Sequence, residues 1–250
     1  MALLEYRFYS QILEQNTMAN VILPDGEPPV EGFPTLWLLH GLSDNHTAWS
    51  RNSNIEKYVE GKGLAVVMPD AYRSYYTNMQ TGLRYWDFIS EEIQQIMRRT
   101  FRLSQRREDN FAAGLSMGGY GAFKLGLRNP ERYAAVCSLS GALDIRTRLQ
   151  MATPEQLVEL KSIFGDVQTL KSEGNDLIAL AEQITEPDQY PRFYQACGTE
   201  DFLYQYNQNF LCAVKVAGLD ISYTEAPGSH TWDFWDTYIQ EFLKFISIES

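Results

Sequence analysis

The sequence predicts an α/β fold, in which a mostly parallel central sheet carries helices on both faces. The chain has 250 residues, 44% of them hydrophobic and 13% aromatic, which is enough to bury a large core. Short β-rich runs alternate with stretches of helical periodicity, a pattern typical of parallel strands joined by crossover helices. No internal repeat or low-complexity tract interrupts this alternation, so residues 1–250 are expected to form a single domain.

The first half of the chain predicts a hairpin followed by the start of the parallel sheet. Strands over residues 4–12 and 18–24 are separated by a polar turn around Glu14, short enough for antiparallel pairing. Between residues 87 and 101, apolar side chains recur at helical spacing while charged ones fill the opposite face, which predicts an amphipathic crossover helix. The other elements expected here are strands over 35–40, 63–69, 111–116 and 133–140, a helical stretch that starts at 55–58, and a helix over 118–127.

The second half breaks the alternation once. Residues 142–190 contain helical segments near 154–164 and 176–183 but no convincing strand, so they predict a short helical insertion over the end of the sheet. After it, a strand over 193–196, a helix over 204–217, a strand over 221–224 and a helix over 232–246 complete the fold.

Charge and composition exclude several classes of protein. The 21 basic and 32 acidic residues give a formal charge of −11 without a basic cluster, so nucleic acid is not an expected partner. No apolar run approaches the roughly 20 residues of a membrane span, and the first residues do not resemble a secretory signal, so a cytoplasmic location is expected. Self-association is left open.

Cysteine spacing predicts neither a metal site nor disulfides. Cys137, Cys197 and Cys212 are odd in number and show no C-x-x-C spacing, so each is interpreted as a small buried apolar residue. No metal and no cofactor is expected.

A G-x-S-x-G motif, Gly114-Leu-Ser-Met-Gly118, lies between a predicted strand and a predicted helix. This is the pattern of a nucleophile elbow, in which a serine occupies a strained turn and the glycines let the backbone and the following helix approach closely. The helix N-terminus also directs its positive dipole towards charge that develops at the serine. Ser116 is therefore the predicted nucleophile.

A serine nucleophile needs a base and a group that orients the base. Of the three histidines only His230 follows Ser116, which matches the chain order of nucleophile, acid and histidine in serine hydrolases, so His230 is the predicted base. Asp201, three residues after Gly198, is the preferred acid. Glu200, Asp188 and Asp144 remain as alternatives.

Acyl transfer to a serine also forms a tetrahedral intermediate, whose negatively charged oxygen needs two hydrogen-bond donors from the backbone. The N–H of Met117, directly after the nucleophile, is one candidate, and the N–H of Leu42, in the loop after an early strand, is the other. His40 is expected to hold that loop by local hydrogen bonds. Trp86, Tyr85 and Trp232 are candidates for the wall of the substrate pocket, together with the 142–190 insertion.

Four motifs occur in order along the chain: His40-Gly-Leu-Ser-Asp-Asn-His-Thr-Ala-Trp49, Gly114-Leu-Ser-Met-Gly-Gly-Tyr-Gly121, Gly198-Thr-Glu-Asp201 and Gly228-Ser-His-Thr-Trp232. Together they resemble the esterase D branch of the α/β-hydrolases, and most of all its small bacterial tributyrin or acetyl esterases. S-formylglutathione hydrolases, feruloyl esterases and mycolyltransferases are related to that branch.

The resemblance implies an α/β-hydrolase fold and a metal-free serine carboxylesterase that acts on a small ester with a short acyl group, acetyl to butyryl. It assigns Ser116, Asp201 and His230 as the triad and Leu42 and Met117 as oxyanion donors. One departure weakens the thioesterase alternative, since S-formylglutathione hydrolases typically have Thr-Cys where this chain has Ser43-Asp44. A feruloyl or carbohydrate acetyl esterase, an acyltransferase and a catalytically silent binding protein remain further alternatives.

Overall fold

A computed structural model describes residues 1–247, which are organised around one eight-stranded sheet. The order across the sheet is β1-β2-β4-β3-β5-β6-β7-β8. The first two strands pair antiparallel, β2 and β4 also pair antiparallel, and all other neighbours are parallel. The mostly parallel α/β fold is thereby confirmed. The strands are β1 (Ala2–Ser10), β2 (Gln15–Leu23), β3 (Thr35–Leu39), β4 (Ala65–Pro69), β5 (Asn110–Leu115), β6 (Ala135–Leu139), β7 (Arg192–Gly198) and β8 (Ile221–Ala226).

Helices connect these strands, and one of them contains a π-helical turn. The turn Phe88–Glu92 joins α3 to α4, so that one continuous helix covers the 87–101 segment predicted from periodicity. None of the helices within residues 1–247 has the length and apolarity needed to cross a membrane. The α-helices are α1 (Ala48–Asn52), α2 (Ile55–Tyr58), α3 (Tyr85–Asp87), α4 (Ile93–Phe101), α5 (Met117–Arg128), α6 (Ile145–Met151), α7 (Pro154–Phe164), α8 (Val167–Ser172), α9 (Leu177–Ala181), α10 (Tyr204–Val216) and α11 (Trp232–Phe245).

The sheet separates two hydrophobic cores. In β4, Ala65 and Val67 face one core while Val66 and Met68 face the other, as the two-residue period of a strand requires. Both sets are fully buried, which explains why the parallel strands are continuous apolar runs.

The N-terminal hairpin turns earlier than expected. The sequence predicts the turn around Glu14, but β1 ends at Ser10 and β2 already begins at Gln15. The cause is a distant carboxylate, because Glu92 accepts hydrogen bonds from the amides of Gln11 (2.6 Å) and Ile12 (3.3 Å) and thereby fixes the turn.

The 142–190 segment consists of helices and short connections. Its longest helix, α7, begins with a capping box formed by Thr153 and Gln156. The shorter helices α6 and α8 were not expected from periodicity. Each is preceded by an N-cap aspartate, Asp144 and Asp166, whose carboxylate accepts a hydrogen bond from a backbone amide in the first turn.

The cysteines divide into two environments. Cys137 on β6 and Cys197 on β7 are buried, as expected, but Cys212 is exposed, so the interpretation of Cys212 as a buried residue is wrong. Its neighbours on α10, Leu211 and Val214, face the core, and Cys212 lies on the outer side of the helix.

Candidate active site

The residues singled out in the sequence lie at one edge of the sheet. Leu42 follows β3, Ser116 follows β5, Asp201 follows β7 and His230 follows β8. These four strands are parallel to one another, so their carboxyl ends meet at the same edge, where ligands usually bind in such folds.

Ser116 occupies a strained turn between β5 and α5. Its φ of 52° and ψ of −116° are unusual for a residue with a side chain. Backbone hydrogen bonds hold it there: its N–H donates to Leu139 O (2.9 Å), and its carbonyl accepts from the amides of Tyr120 and Ala142 (3.1 Å each). The surrounding strand and helix therefore stabilise a conformation that presents the hydroxyl.

The two glycines of the motif are required by close backbone contacts. A Cβ on Gly114 would collide with the backbone of Gly118, and a Cβ on Gly118 would collide with the carbonyl groups of Leu39 and His40. Helix α5 can thus lie directly against the strands only because both positions lack a side chain.

Asp201 and His230 form a hydrogen-bonded pair. Nδ1 of His230 lies 2.8 Å from Oδ2 and 3.1 Å from Oδ1 of Asp201. The carboxylate is buried, and its Oδ1 also accepts from the N–H of Leu203 (2.8 Å). Because a carboxylate only accepts, the ring proton is assigned to Nδ1, and Nε2 is left as an acceptor.

The three other candidates for the acid beside His230 are placed elsewhere in the structure. Glu200 is exposed and accepts a hydrogen bond from the N–H of Gly228, which lowers the pKa of Glu200. Asp144 caps α6 through the amide of Thr147 (3.0 Å), and Asp188 lies in the short turn Pro187–Gln189 before β7.

Aromatic rings fix the His230 imidazole. The imidazole packs against Trp235 edge to face, with centroids 4.8 Å apart, and against Phe202 at 4.5 Å. Trp235 in turn contacts Trp232 (5.4 Å), which contacts Trp49 (5.2 Å). The ring therefore rests on a chain of aromatic contacts that ends at Trp49, next to the loop of residues 40–44 that carries Leu42, here called the oxyanion loop.

Ser116 and His230 line one cavity of about 520 Å³, together with Leu42 and Trp232. Within residues 1–247 no hydrogen bond joins the Ser116 hydroxyl to the imidazole, although both face this space. Contacts of this kind are often long before substrate binds and tighten in the complex.

The two candidate oxyanion amides have no other partner in the described chain. Within residues 1–247, neither the N–H of Leu42 nor that of Met117 donates to a protein acceptor, and Met117 is the first residue of α5. Free N–H groups of this kind are suited to bind developing negative charge.

His40 supports the oxyanion loop, as expected. Its Nε2 accepts from the N–H of Ala71 (2.9 Å), so Nδ1 carries the proton and donates to Gly41 O (2.7 Å). The hydroxyl of Tyr76 donates to His40 O (2.9 Å), and Nε1 of Trp49 donates to Leu39 O (3.0 Å). The loop is therefore anchored at four points.

Two of the three predicted pocket residues do not line this cavity. Tyr85 is buried in the core against Phe88, with ring centroids 6.2 Å apart. The ring of Trp86 is covered by Lys124 (4.7 Å) and Arg128 (4.3 Å). The expectation is corrected because Tyr85 packs into the core and Trp86 packs against side chains of α5, whereas Trp232 does line the cavity.

Several residues that line the cavity were not predicted from the sequence. Trp235 follows Trp232 by about one turn of α11, and Phe202 directly follows Asp201, so both could have been found from helical spacing and adjacency. Tyr75 and Arg148 also line the cavity, but nothing in their local sequence marks them. Arg148 belongs to α6, so the 142–190 insertion supplies part of the wall.

The part of the chain that the structure describes contains no group of three or more His, Cys, Asp or Glu side chains arranged to hold a metal ion.

Comparison with known proteins gives consistent matches over the whole chain. Residues 10–246 match the family model described as "Putative esterase". The chain is 32% identical over 262 residues to the acetyl esterase of Caldicellulosiruptor saccharolyticus, covering 99% of this chain and 98% of that protein.

Two solved structures from Staphylococcus aureus are similar along their full length. FphF, described as a fluorophosphonate-binding serine hydrolase with substrate bound, superposes with a TM-score of 0.89 at 30% identity, covering 100% of this chain and 99% of that one. An S-formylglutathione hydrolase (FrmB) superposes with a TM-score of 0.86 at 30% identity, covering 98% of both chains.

Proposed function

The chain belongs to this esterase family and is a serine carboxylic-ester hydrolase, and we propose that it cleaves short-chain acyl esters, acetyl to butyryl, through an acyl-enzyme on Ser116. Membership confirms the resemblance to esterases drawn from the four sequence motifs. The assignment of roles to individual residues is the proposal developed below.

One observation carries the assignment. A serine with a φ of 52° at a strand-to-helix turn shares a cavity with a histidine whose Nδ1 lies 2.8 Å from a buried aspartate. A buried carboxylate at Nδ1 holds the imidazole with Nε2 facing outward, which is the orientation that a general base for serine requires.

In the proposed mechanism, Nε2 of His230 takes the hydroxyl proton while Ser116 Oγ attacks the ester carbonyl carbon. The resulting oxyanion is bound by the N–H groups of Leu42 and Met117. His230 then donates the proton to the alcohol oxygen as the C–O bond breaks, which leaves an acyl-serine.

Deacylation repeats these steps with water. His230 removes a proton from water, the hydroxide attacks the acyl carbon, and the proton returns to Ser116 as the carboxylic acid leaves. Asp201 fixes the tautomer and stabilises the transient imidazolium.

The short-acyl preference is supported by the polarity of the cavity wall. Beside Trp232 and Trp235 the wall contains the charged side chains of Asp44 and Arg148, so a long alkyl chain would have to contact polar groups. The relative from Caldicellulosiruptor saccharolyticus is named an acetyl esterase.

A series of p-nitrophenyl esters tests the proposal. We expect kcat/KM for acetate to butyrate to exceed that for decanoate by at least about tenfold, because the longer chain leaves apolar surface in water. Ser116→Ala should abolish turnover and covalent labelling by a fluorophosphonate while leaving the circular dichroism spectrum unchanged. Equal rates on decanoate would contradict the short-acyl preference. Residual turnover in Ser116→Ala would exclude Ser116 as the nucleophile.

One alternative is favoured by a specific observation, namely the 30% identity to a protein described as an S-formylglutathione hydrolase. Comparing S-formylglutathione with p-nitrophenyl acetate at equal enzyme concentration distinguishes the two. We expect the simple ester to be preferred, because Ser43 and Asp44 line the cavity where thioesterases of this kind have Thr-Cys. The cytoplasmic location stays a prediction.

A further inference from the structure

Arg148 is a cation in the wall of the active-site cavity that has no partner in the described chain. It lies on α6, is half-buried and lines the cavity with Ser116 and His230. Within residues 1–247 its guanidinium makes no hydrogen bond and no ion pair. A guanidinium carries five N–H donors, so a half-buried one without acceptors is an unfilled binding group.

Nearby arginines are paired, which makes Arg148 distinct. Arg146, two residues earlier on the same helix, binds the buried carboxylate of Asp176 at 2.5 Å. Arg73 binds both carboxylate oxygens of Glu159, at 2.5 and 2.9 Å. The carboxylate of Glu159, which is close enough to feel the charge of Arg148, is therefore already paired with another cation.

Tyr75 holds Arg148 in place. The guanidinium carbon lies 5.9 Å from the centroid of the Tyr75 ring, within the range of a cation–π contact. That ring is buried and packs edge to face against Phe164 (5.2 Å) and Tyr120 (5.9 Å). The charge is thus supported by a rigid aromatic group, which leaves its N–H donors available to a ligand.

The cavity is electrostatically polarised. Asp44, the acidic residue of the cavity wall, belongs to the oxyanion loop. Arg148 belongs instead to the helical insertion. An anionic group on a substrate is repelled by Asp44 and attracted to Arg148, so a negative charge would orient the ester.

Resting on the proposed esterase function, we infer that the preferred substrates are esters that carry a carboxylate, and that Arg148 is the specificity-determining residue that binds this carboxylate. Arg pairs with carboxylates through two parallel N–H···O bonds, which fixes geometry as well as charge. The net charge of −11 disfavours anions at long range, so selectivity for them requires a local cation in the cavity, and Arg148 supplies one.

Paired esters that differ only in charge test the inference. On the alcohol side the pair is meta-acetoxybenzoate and its neutral amide, meta-acetoxybenzamide. On the acyl side it is phenyl hydrogen succinate and phenyl succinamate, with the enzyme-free rate subtracted. The pair that responds to substitution identifies which side of the ester faces Arg148.

Three substitutions separate charge from packing. Arg148→Met should lower the ratio of kcat/KM for the anionic ester to that for its amide by about tenfold to a hundredfold, the range expected for a charge-assisted hydrogen bond. Arg148→Lys should retain part of the ratio because it keeps the charge without the planar fork. Lys161→Gln, an exposed cation of α7, removes the same formal charge outside the cavity and should leave the ratio within about twofold.

The outcomes distinguish this inference from the proposed function. Hydrolysis of both members of each pair with an unchanged ratio in Arg148→Met would overturn the anion site while leaving the esterase intact. An equal loss on charged and neutral esters would identify Arg148 as a packing residue and also overturn the inference. Absence of hydrolysis of every ester by the unsubstituted protein would contradict the proposed function itself.

A binding measurement on Ser116→Ala removes the dependence on turnover. Two tryptophans, Trp232 and Trp235, line the cavity, so their fluorescence should report occupancy. We expect the anionic compound to bind more tightly than its amide in at least one of two pairs: meta-hydroxybenzoate and meta-hydroxybenzamide, or phenyl hydrogen succinate and phenyl succinamate read directly after mixing. Arg148→Met in the same background should remove the difference. Equal affinities within both pairs would contradict the anion site.

Discussion

Asp201 and Glu200 are adjacent in the chain, yet only one of them reaches the imidazole. The carboxylate of Asp201 turns inward, where it is buried and contacts Nδ1 of His230 at 2.8 Å. Glu200 turns outward to the N–H of Gly228, and that hydrogen bond holds the pKa of Glu200 below its ordinary value. The two loops approach this closely because Gly198 has no side chain, since a Cβ there would collide with the Gly228 carbonyl.

Substituting each acid by its amide separates their contributions. We expect Asp201→Asn to lower kcat on p-nitrophenyl acetate by about 10³- to 10⁴-fold, because an amide donor facing Nδ1 favours the tautomer with the proton on Nε2. Glu200→Gln keeps an acceptor for Gly228 and should change kcat by less than about threefold, as expected for an exposed contact. Both variants should unfold cooperatively in urea. A large loss in Glu200→Gln together with a small loss in Asp201→Asn would reverse the assignment.

The sequence could rank these acids but could not determine their orientation. Asp201 is preferred because its short side chain follows Gly198 by three residues, and the observed pair with His230 has the predicted partners. Whether a side chain faces inward depends on how the loops after β7 and β8 pack together, which no local pattern contains. The same limit applies to Tyr85 and Trp86, whose aromatic character alone could not distinguish core from pocket.

At the scale of elements, helix α5 contains a buried lysine. Lys124 donates to Tyr76 O (3.1 Å) and to Thr77 Oγ1 (3.0 Å), and its ammonium nitrogen lies 4.7 Å from the centroid of the Trp86 ring. These bonds attach the segment that carries Tyr75 to the helix that follows the nucleophile. Burial without a carboxylate partner lowers the pKa of Lys124 well below its ordinary value.

This lysine predicts a pH dependence of stability. The unfolded chain holds the Lys124 proton up to a pH of about 10.4, whereas the folded protein loses it at lower pH. Between these two values the unfolded state binds more protons, so the free energy of unfolding rises with pH, by at most about 1.4 kcal/mol per unit. Urea unfolding between pH 7 and 9 should therefore show a steeper rise for the unsubstituted protein than for Lys124→Met.

The matched control is Lys161→Met. Lys161 is exposed on α7, so its substitution should leave the slope of stability against pH unchanged. Parallel slopes for the unsubstituted protein and Lys124→Met would mean that the folded protein keeps the buried amine protonated throughout this range, contrary to the prediction.

Elements with sustained periodicity were predictable, and short ones were not. The predicted segments 154–164 and 204–217 match α7 and α10, and the alternation of strands and helices is found in the order expected. Short helices such as α6 and α8 are stabilised by an N-cap carboxylate and by packing rather than by their own periodicity. The hairpin turn lies earlier than predicted because Glu92 binds the amide of Gln11, and these two residues are about eighty positions apart in the sequence.

At the scale of the whole molecule, the sheet topology explains why the proposed catalytic residues were easier to predict than the residues that line the pocket. Ser116, Asp201 and His230 each follow a parallel strand, and the carboxyl ends of these strands must meet at one edge. The pocket wall, by contrast, includes Tyr75 and Arg148, which reach the cavity from a connection and from the helical insertion. Their positions depend on the packing of the whole chain.

The cysteines offer a measure of how cooperatively this whole fold unfolds. Burial raises the pKa of Cys197 to about 12 and raises the pKa of Cys137 well above its ordinary value, while Cys212 is exposed on α10. A thiol reacts as its thiolate, so burial protects the first two both sterically and electrostatically. Cys137 lies on β6 and Cys197 on β7, and these neighbouring strands are separated from solvent at that side of the sheet by the edge strand β8.

An aromatic disulfide reagent should therefore label one thiol per native chain rapidly, and all three in denaturant. We expect Cys212→Ser to remove the rapid phase and to leave the two slow thiols reacting at a common rate, because both become accessible only when the sheet opens. That rate should follow global unfolding as urea is added. Faster labelling of Cys197 than of Cys137 at low urea would instead show that the β7–β8 edge, which carries Asp201 and His230, opens independently of the remaining sheet.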